Sequence, residues 1–211
     1  MKRLDFLDAE LPYALYTPDT LETDTALPLI LFLHGRGERG TDLALVNKWG
    51  VPKYLDLGNN IPAIVLAPQC PETAENWTFV LDKVVSILDT VESDYGISKT
   101  HICGFSMGGH GTQYMAVTYP ERFTAVAPVA TYMYPIADIT DKVCVLKDKP
   151  LWIFHSEGDF VPVAHSDDVV EKLRECDASN LQYTRYTEPD HTETADLAFL
   201  DEEFYQWILK W

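Results

Sequence analysis

Along the chain, near-continuous apolar runs alternate with segments in which apolar residues recur every three or four positions. The run LPLILFLH, residues 27–34, ends at a glycine-rich turn, IPAIVLAP (61–68) repeats the pattern, and HICGF, TAVAPVA and PLWIFHS follow. A strand covered on both faces needs no polar alternation, so these runs predict buried strands of a mostly parallel sheet. The intervals predict helices. In TFVLDKVVSILDTVESDYG, Val80, Leu81, Val84, Val85, Leu88 and Val91 fall on one helical face and Gly96 marks its stop. HSDDVVEKLREC and the final TADLAFLDEEFYQWILKW read as further amphipathic helices, and the alternating LQYTRYT (181–187) as the last strand. ELPYALYTP reads as an antiparallel edge strand or hairpin arm. No repeat, low-complexity tract or linker interrupts the pattern, so residues 1–211 are expected to form one α/β domain with helices on both faces of the sheet.

Composition narrows the function classes. The chain has 211 residues and a formal net charge of −17, which repels a phosphate backbone. No basic patch offsets this: HGRGERG holds two arginines, and DKVCVLKDKP balances lysines with aspartates. Nucleic acid is therefore not an expected partner. The N-terminal MKRLDFLDAELPYALYTPDT carries acids where a secretory signal needs an apolar stretch, and no run approaches the roughly 18 apolar residues of a membrane span, so a cytoplasmic protein without membrane insertion is expected. Cys70, Cys103, Cys144 and Cys176 are scattered without metal-ligand spacing and read as free structural thiols. Cys70 and Cys103, each near the end of a predicted strand, are candidates for spatial neighbours.

The stretch HICGFSMGGHGTQYMAVTYP places one serine between a strand and a helix. The pattern GxSxG recurs by chance and as a plain turn, but strand, GFSMG and helix in that order fit a nucleophile elbow. Gly104 and Gly108 then make room where side chains would collide, Ser106 is held at the bend, and the N–H of Met107 is an oxyanion donor. A serine needs a base, and the base needs an orienting acid. PLWIFHSEGDFVPV puts Asp159 past one strand, and RYTEPDHTETA puts His191 past the last, giving the order Ser106, Asp159, His191 of the α/β-hydrolases. Glu157 is the competing orienter, and Asp190 is either a surface residue or a support behind the base. His110 lies four residues past the serine, where a base on the same helix would reach its oxygen poorly. His101, His155 and His165 have structural readings.

HGRGERG also follows a strand, but lacks the order of a dinucleotide loop and the terminal GK[ST] of a phosphate loop. Its backbone can instead turn N–H groups inward: Arg36 N–H becomes the second oxyanion donor, with Gly35 and Gly37 permitting close approach. His34 reads as a packed histidine that shapes the loop, with a place in the pocket as the other reading, and Glu38 with Arg39 as a local ion pair. No HExxH spacing or ring of acids suggests a metal, and the chemistry requires no cofactor.

From about Leu11 to Trp211 the chain resembles the small α/β-hydrolase serine esterases of the phospholipase/carboxylesterase and predicted-peptidase type, related to feruloyl and polyhydroxyalkanoate esterase domains. The resemblance is carried by LPLILFLHGRGERG, IVLAPQCPETAENW, GFSMGGHGT, SEGDFVPV, the Asp190–His191 pair and EFYQWIL. It implies Ser106 as nucleophile, His191 as base, Asp159 as acid, and Arg36 and Met107 as oxyanion donors. It also offers Trp77 as a pocket aromatic, with a core or capping role equally open. EPDHTET departs from the glycine that relatives usually place before this histidine, and Glu157 stands where many carry a small residue.

The expected activity is hydrolysis of small or accessible carboxylic esters through an acyl-enzyme. Only 28 residues separate His155 from Tyr183, and 11 residues, 130–140, follow the strand at Val129, so a large lid is not expected. The alternatives are a thioesterase, a lysophospholipase-like enzyme or a peptidase with the same triad, and a noncatalytic binding module on this fold. Met133 and Tyr134 in TYMYP either line the pocket or pack behind it. The sequence carries no signal for the oligomeric state.

Overall fold

In the computed structural model, residues 1–19, 26–134 and 138–211 are described. Eight strands form one sheet: β1 (Lys2–Phe6), β2 (Tyr13–Thr17), β3 (Leu29–Leu33), β4 (Ile64–Pro68), β5 (Thr100–Phe105), β6 (Val126–Val129), β7 (Leu151–Ser156) and β8 (Leu181–Tyr186). Their spatial order is β1-β2-β4-β3-β5-β6-β7-β8, with β1 and β2 antiparallel at one edge and the rest parallel. ELPYALYTP thus supplies a hairpin arm, β2. The edge strand is β1, whose exposed, mixed residues give no apolar run to read.

Strand periodicity divides the core. Leu29, Leu31, Leu33, Ile64, Leu66, Ile102 and Ile153 face one side and pack with apolar residues of α2 (Leu81–Tyr95), α3 (Met107–Thr118) and α4 (Ala164–Glu175). Ile30, Phe32, Val65, Ala67, Cys103, Phe105 and Phe154 face the other, under α1 (Gly50–Asp56), α5 (His191–Phe199) and α6 (Glu202–Ile208). Because successive side chains point to opposite faces, a strand covered on both must be apolar throughout, which is the continuous pattern of the central runs. α2 stops at Gly96, whose φ of 59° is left-handed. The C-terminal amphipathic stretch is broken where the Asp201 side chain caps α6 by accepting from Glu203 N at 2.9 Å.

The cysteine reading needs correction. Cys144 and Cys176 form a disulfide with a Cα–Cα distance of 5.7 Å, joining a 3-10 helix at Thr140–Leu146 to the end of α4. Cys70 and Cys103 are free and buried, but pack on opposite faces of the sheet. The pair lies 32 residues apart in two elements that meet only in the fold, so spacing along the chain gave no cue. Residues 135–137, part of the segment expected to carry no lid, lie outside the described residues. No helix among the described residues is long and apolar enough to cross a membrane. A sheet with this strand order, a serine at the β5–α3 turn and helices on both faces is the α/β-hydrolase fold.

Candidate active site

The loops after β3, β5, β7 and β8 meet at the carboxyl ends of the parallel strands, where open α/β sheets place their ligands. Ser106 sits at the bend between β5 and α3 with φ 58° and ψ −115°, a conformation a non-glycine residue holds only under constraint. The constraint is visible: its N–H donates to Val129 O at 2.9 Å, and its carbonyl accepts from His110 N at 3.1 Å. A Cβ on Gly108 would collide with the Leu33 and His34 carbonyls, and one on Gly104 with the Gly108 backbone. Both glycines are therefore required by close packing of the elbow against β3.

His191 opens α5 and is 8% exposed. Its Nε2 lies 2.9 Å from Ser106 Oγ and its Nδ1 2.7 Å from Asp159 Oδ2. The other Asp159 oxygen, Oδ1, accepts from Val161 N at 2.7 Å, and the side chain is fully buried. His155, in β7, packs behind the acid with Nε2 3.6 Å from Oδ2, while its Nδ1 lies 2.7 Å from Ser166 Oγ. Phe105 and Phe160 hold the His191 ring from two sides at 4.6 and 4.5 Å. A salt bridge from Lys53 of α1 to Asp196 of α5, 2.6 Å, anchors the helix that carries the histidine.

The structure assigns the open residues. Glu157 pairs with Arg185 away from the serine, and Asp159 is the acid within hydrogen-bond distance of His191. Asp190 is the N-cap of α5: Oδ1 accepts from Thr192 N and Glu193 N, both at 2.8 Å, and Glu193 reciprocates by accepting from Asp190 N. These bonds, the one from Glu193 N foremost, hold its carboxyl below the usual range. The departure from the relatives' glycine is thus a helix cap.

Gly35 lies against the elbow: a Cβ there would be 3.6 Å from Ser106 Cβ. Gly37 faces open space, so the expected close approach applies to Gly35 and not to Gly37. His34 is buried, with Nδ1 2.7 Å from Gly35 O and Nε2 accepting from Cys70 N at 2.9 Å. Burial lowers its pKa to about 4, so it stays a neutral strut. Trp77 completes the strut by donating from Nε1 to His34 O at 3.0 Å. Trp77 is itself fully buried in the core, and neither residue lines the cavity. The expected ion pair of Glu38 and Arg39 is not formed: Arg39 donates to the Ala74 and Arg36 carbonyls, and Glu38 turns inward.

A cavity of about 390 Å³ opens beside the serine, lined by Arg36, Met107, Tyr132, Tyr134, Phe160 and Glu75 among others. Met133 does not line it, and packs as a half-buried residue against the core. Tyr132 and Phe160 went unread in the sequence. Phe160, 79% exposed, was signalled only by following Asp159. His110 is buried behind the wall with its ring 5.2 Å from Tyr134.

The structure superposes on that of a thermostable esterase with a TM-score of 0.80 and 31% identity, covering 99% of this chain and 62% of the other. It also matches an S-formylglutathione hydrolase from Staphylococcus aureus (TM-score 0.70, 18% identity, 97% and 93% of the two chains). A feruloyl esterase module from Clostridium thermocellum matches with TM-score 0.74, 13% identity and coverage of 98% and 87%. In sequence, 106 residues are 29% identical to a 2-hydroxy-6-oxononadienedioate/2-hydroxy-6-oxononatrienedioate hydrolase from Burkholderia vietnamiensis, covering 48% of this chain and 35% of that one. The chain thus spans less than two thirds of the thermostable esterase and about a third of the curated relative. Residues 53–196 match the family model described as "Putative esterase". That match takes in Ser106, Asp159 and His191 and most of the chain, and by it the chain belongs to the esterase family.

Proposed function

We propose that the protein is a serine carboxylesterase acting on compact carboxylic esters through an acyl-enzyme on Ser106. The observation that carries this reading is the continuous relay from Ser106 Oγ to His191 Nε2 and from His191 Nδ1 to Asp159, built on a serine of strained backbone. Ser106 Oγ attacks the ester carbonyl as His191 Nε2 takes its proton, and Asp159 accepts from Nδ1–H and stabilises the imidazolium. The backbone N–H groups of Arg36 and Met107 face the charge that develops on the carbonyl oxygen, each worth about 3 kcal/mol in the transition state. Met107 opens α3, so the positive end of the helix adds to that field. His191 then protonates the leaving alcohol; a water that gives its proton to the same nitrogen attacks the acyl carbon, and as the Oγ–acyl bond breaks that proton passes to Ser106 Oγ and the acid leaves. The protein's own groups thus account for the whole cycle.

The enclosed volume sets the substrate size. On p-nitrophenyl esters from acetate to palmitate, kcat/KM is expected to peak at acyl chains of about two to six carbons, which a cavity near the lower end of the usual ligand-site range encloses. A maximum at palmitate would overturn the compact-substrate reading. Turnover confined to acyl thioesters would replace the esterase assignment with that of a thioesterase using the same relay.

A further inference from the structure

The mechanism above leaves one buried acid unused. Glu38 is 3% exposed, closes the short turn after β3, and among the described residues has no lysine or arginine within ion-pair distance. A carboxylate is expensive to bury without a counter-charge, so its place needs a reason. Its Oε2 lies 2.9 Å from where a Gly35 Cβ would stand, a point also 3.4 Å from the Phe105 ring and 3.6 Å from Ser106 Cβ. The acid therefore fills the space that the missing side chain of Gly35 leaves open, under the serine and beside the ring that packs on His191. Burial raises its pKa, and the backbone N–H groups of Gly35 and of Glu38 itself act in the opposite direction. Gln69, just past β4, secures the same turn by donating from Nε2 to Glu38 O at 3.0 Å and to Asp42 O at 2.8 Å.

We propose that Glu38 is a positioning residue of the reaction: its carboxylate, set against Gly35, braces the turn that presents the Arg36 N–H to the oxyanion, and its negative charge favours a cation on the base beside the serine. The inference rests on the reading of Ser106 and His191 as nucleophile and base. A neutral glutamine would fill the same space but supply no charge, which accounts for an acid at this place.

The charged groups around the pair are these. Glu38 is faced by Lys48 and by His191, and burial, the largest influence on it, raises its pKa. His191 is faced by Asp159 directly and, at longer range, by His155, Asp190 and Glu38. A negative charge nearby favours a cationic base, so removing the Glu38 charge is expected to shift the acid limb of activity to lower pH.

The test is the pH profile of ester hydrolysis by wild type, E38Q and E38D, with the active fraction counted by titration with a fluorophosphonate. In E38Q, kcat per labelled site is expected to fall about ten-fold as the turn that presents the Arg36 N–H loses its charged brace. The acid limb of kcat/KM is expected to move down by about half a pH unit. E38D keeps the charge but withdraws it by one methylene, so it should retain the wild-type limb while losing several-fold in kcat. An E38Q limb that coincides with wild type would overturn the electrostatic role, whatever happens to the rate. If E38Q does not fold, E38D decides: wild-type kcat in that variant would overturn the positioning role. Failure of wild type itself to turn over any ester in a Ser106-dependent way would instead overturn the reading on which the inference rests.

Discussion

Ser106→Ala is expected to lower kcat for a p-nitrophenyl ester by roughly 10⁶-fold, with a residual rate about 10³-fold above water, measured at saturating substrate against a background of buffer hydrolysis. The size follows from the geometry. Ser106 Oγ is the atom at 2.9 Å from His191 Nε2, and without it the base has nothing to deprotonate that lies in line with the carbonyl. The residual rate belongs to the N–H groups of the two loops, which an alanine leaves in place. Because the relay acts as one unit, adding His191→Ala to Ser106→Ala should cost little more, and a double variant far slower than either single one would show that the two act separately.

The second large effect is expected at Asp159, where Asn should lower kcat by about 10⁴-fold while leaving the fold intact by circular dichroism. The two carboxylate oxygens have different duties. Oδ1 accepts from Val161 N at 2.7 Å, and Oδ2 accepts from His191 Nδ1 at 2.7 Å. An amide has only one acceptor oxygen, so if that oxygen keeps the Val161 bond, the NH₂ faces Nδ1 and forces the proton onto Nε2, where the base must be bare. If it keeps the histidine bond, the buried Val161 N–H is left facing a donor. A loss below ten-fold would mean that Asp159 merely packs against the ring.

Much of this site is legible in the order of residues, and the reason is physical. A nucleophile elbow must sit between a strand and a helix and cannot carry side chains at Gly104 and Gly108, so local spacing announces it. The acid and base follow later strands because only loops at the same sheet edge can converge. What local spacing does not reveal is which partner a polar side chain will find in three dimensions. Glu38 and Arg39 look like neighbours of opposite charge, yet Arg39 reaches carbonyls near residue 74, and Glu38 is drawn under the serine. Asp190 reads in the sequence as a surface residue or a support behind the base, and is a helix cap. Cys144 and Cys176, like Tyr132 and Phe160, come together through packing of distant elements. β1 escaped notice because an exposed edge strand buries little and has no apolar face to display.

The central claim, that the esterase reaction passes through an acyl group on Ser106, has a direct measurement. Purified protein is mixed with a slowly deacylating p-nitrophenyl ester, quenched in acid within the first turnover, and digested for peptide mass analysis. The account predicts a burst of p-nitrophenol close to one per chain, the acyl mass on the peptide that contains Ser106, and neither in the Ser106→Ala variant. Steady turnover without a burst, and with no acyl mass on that peptide, would contradict it.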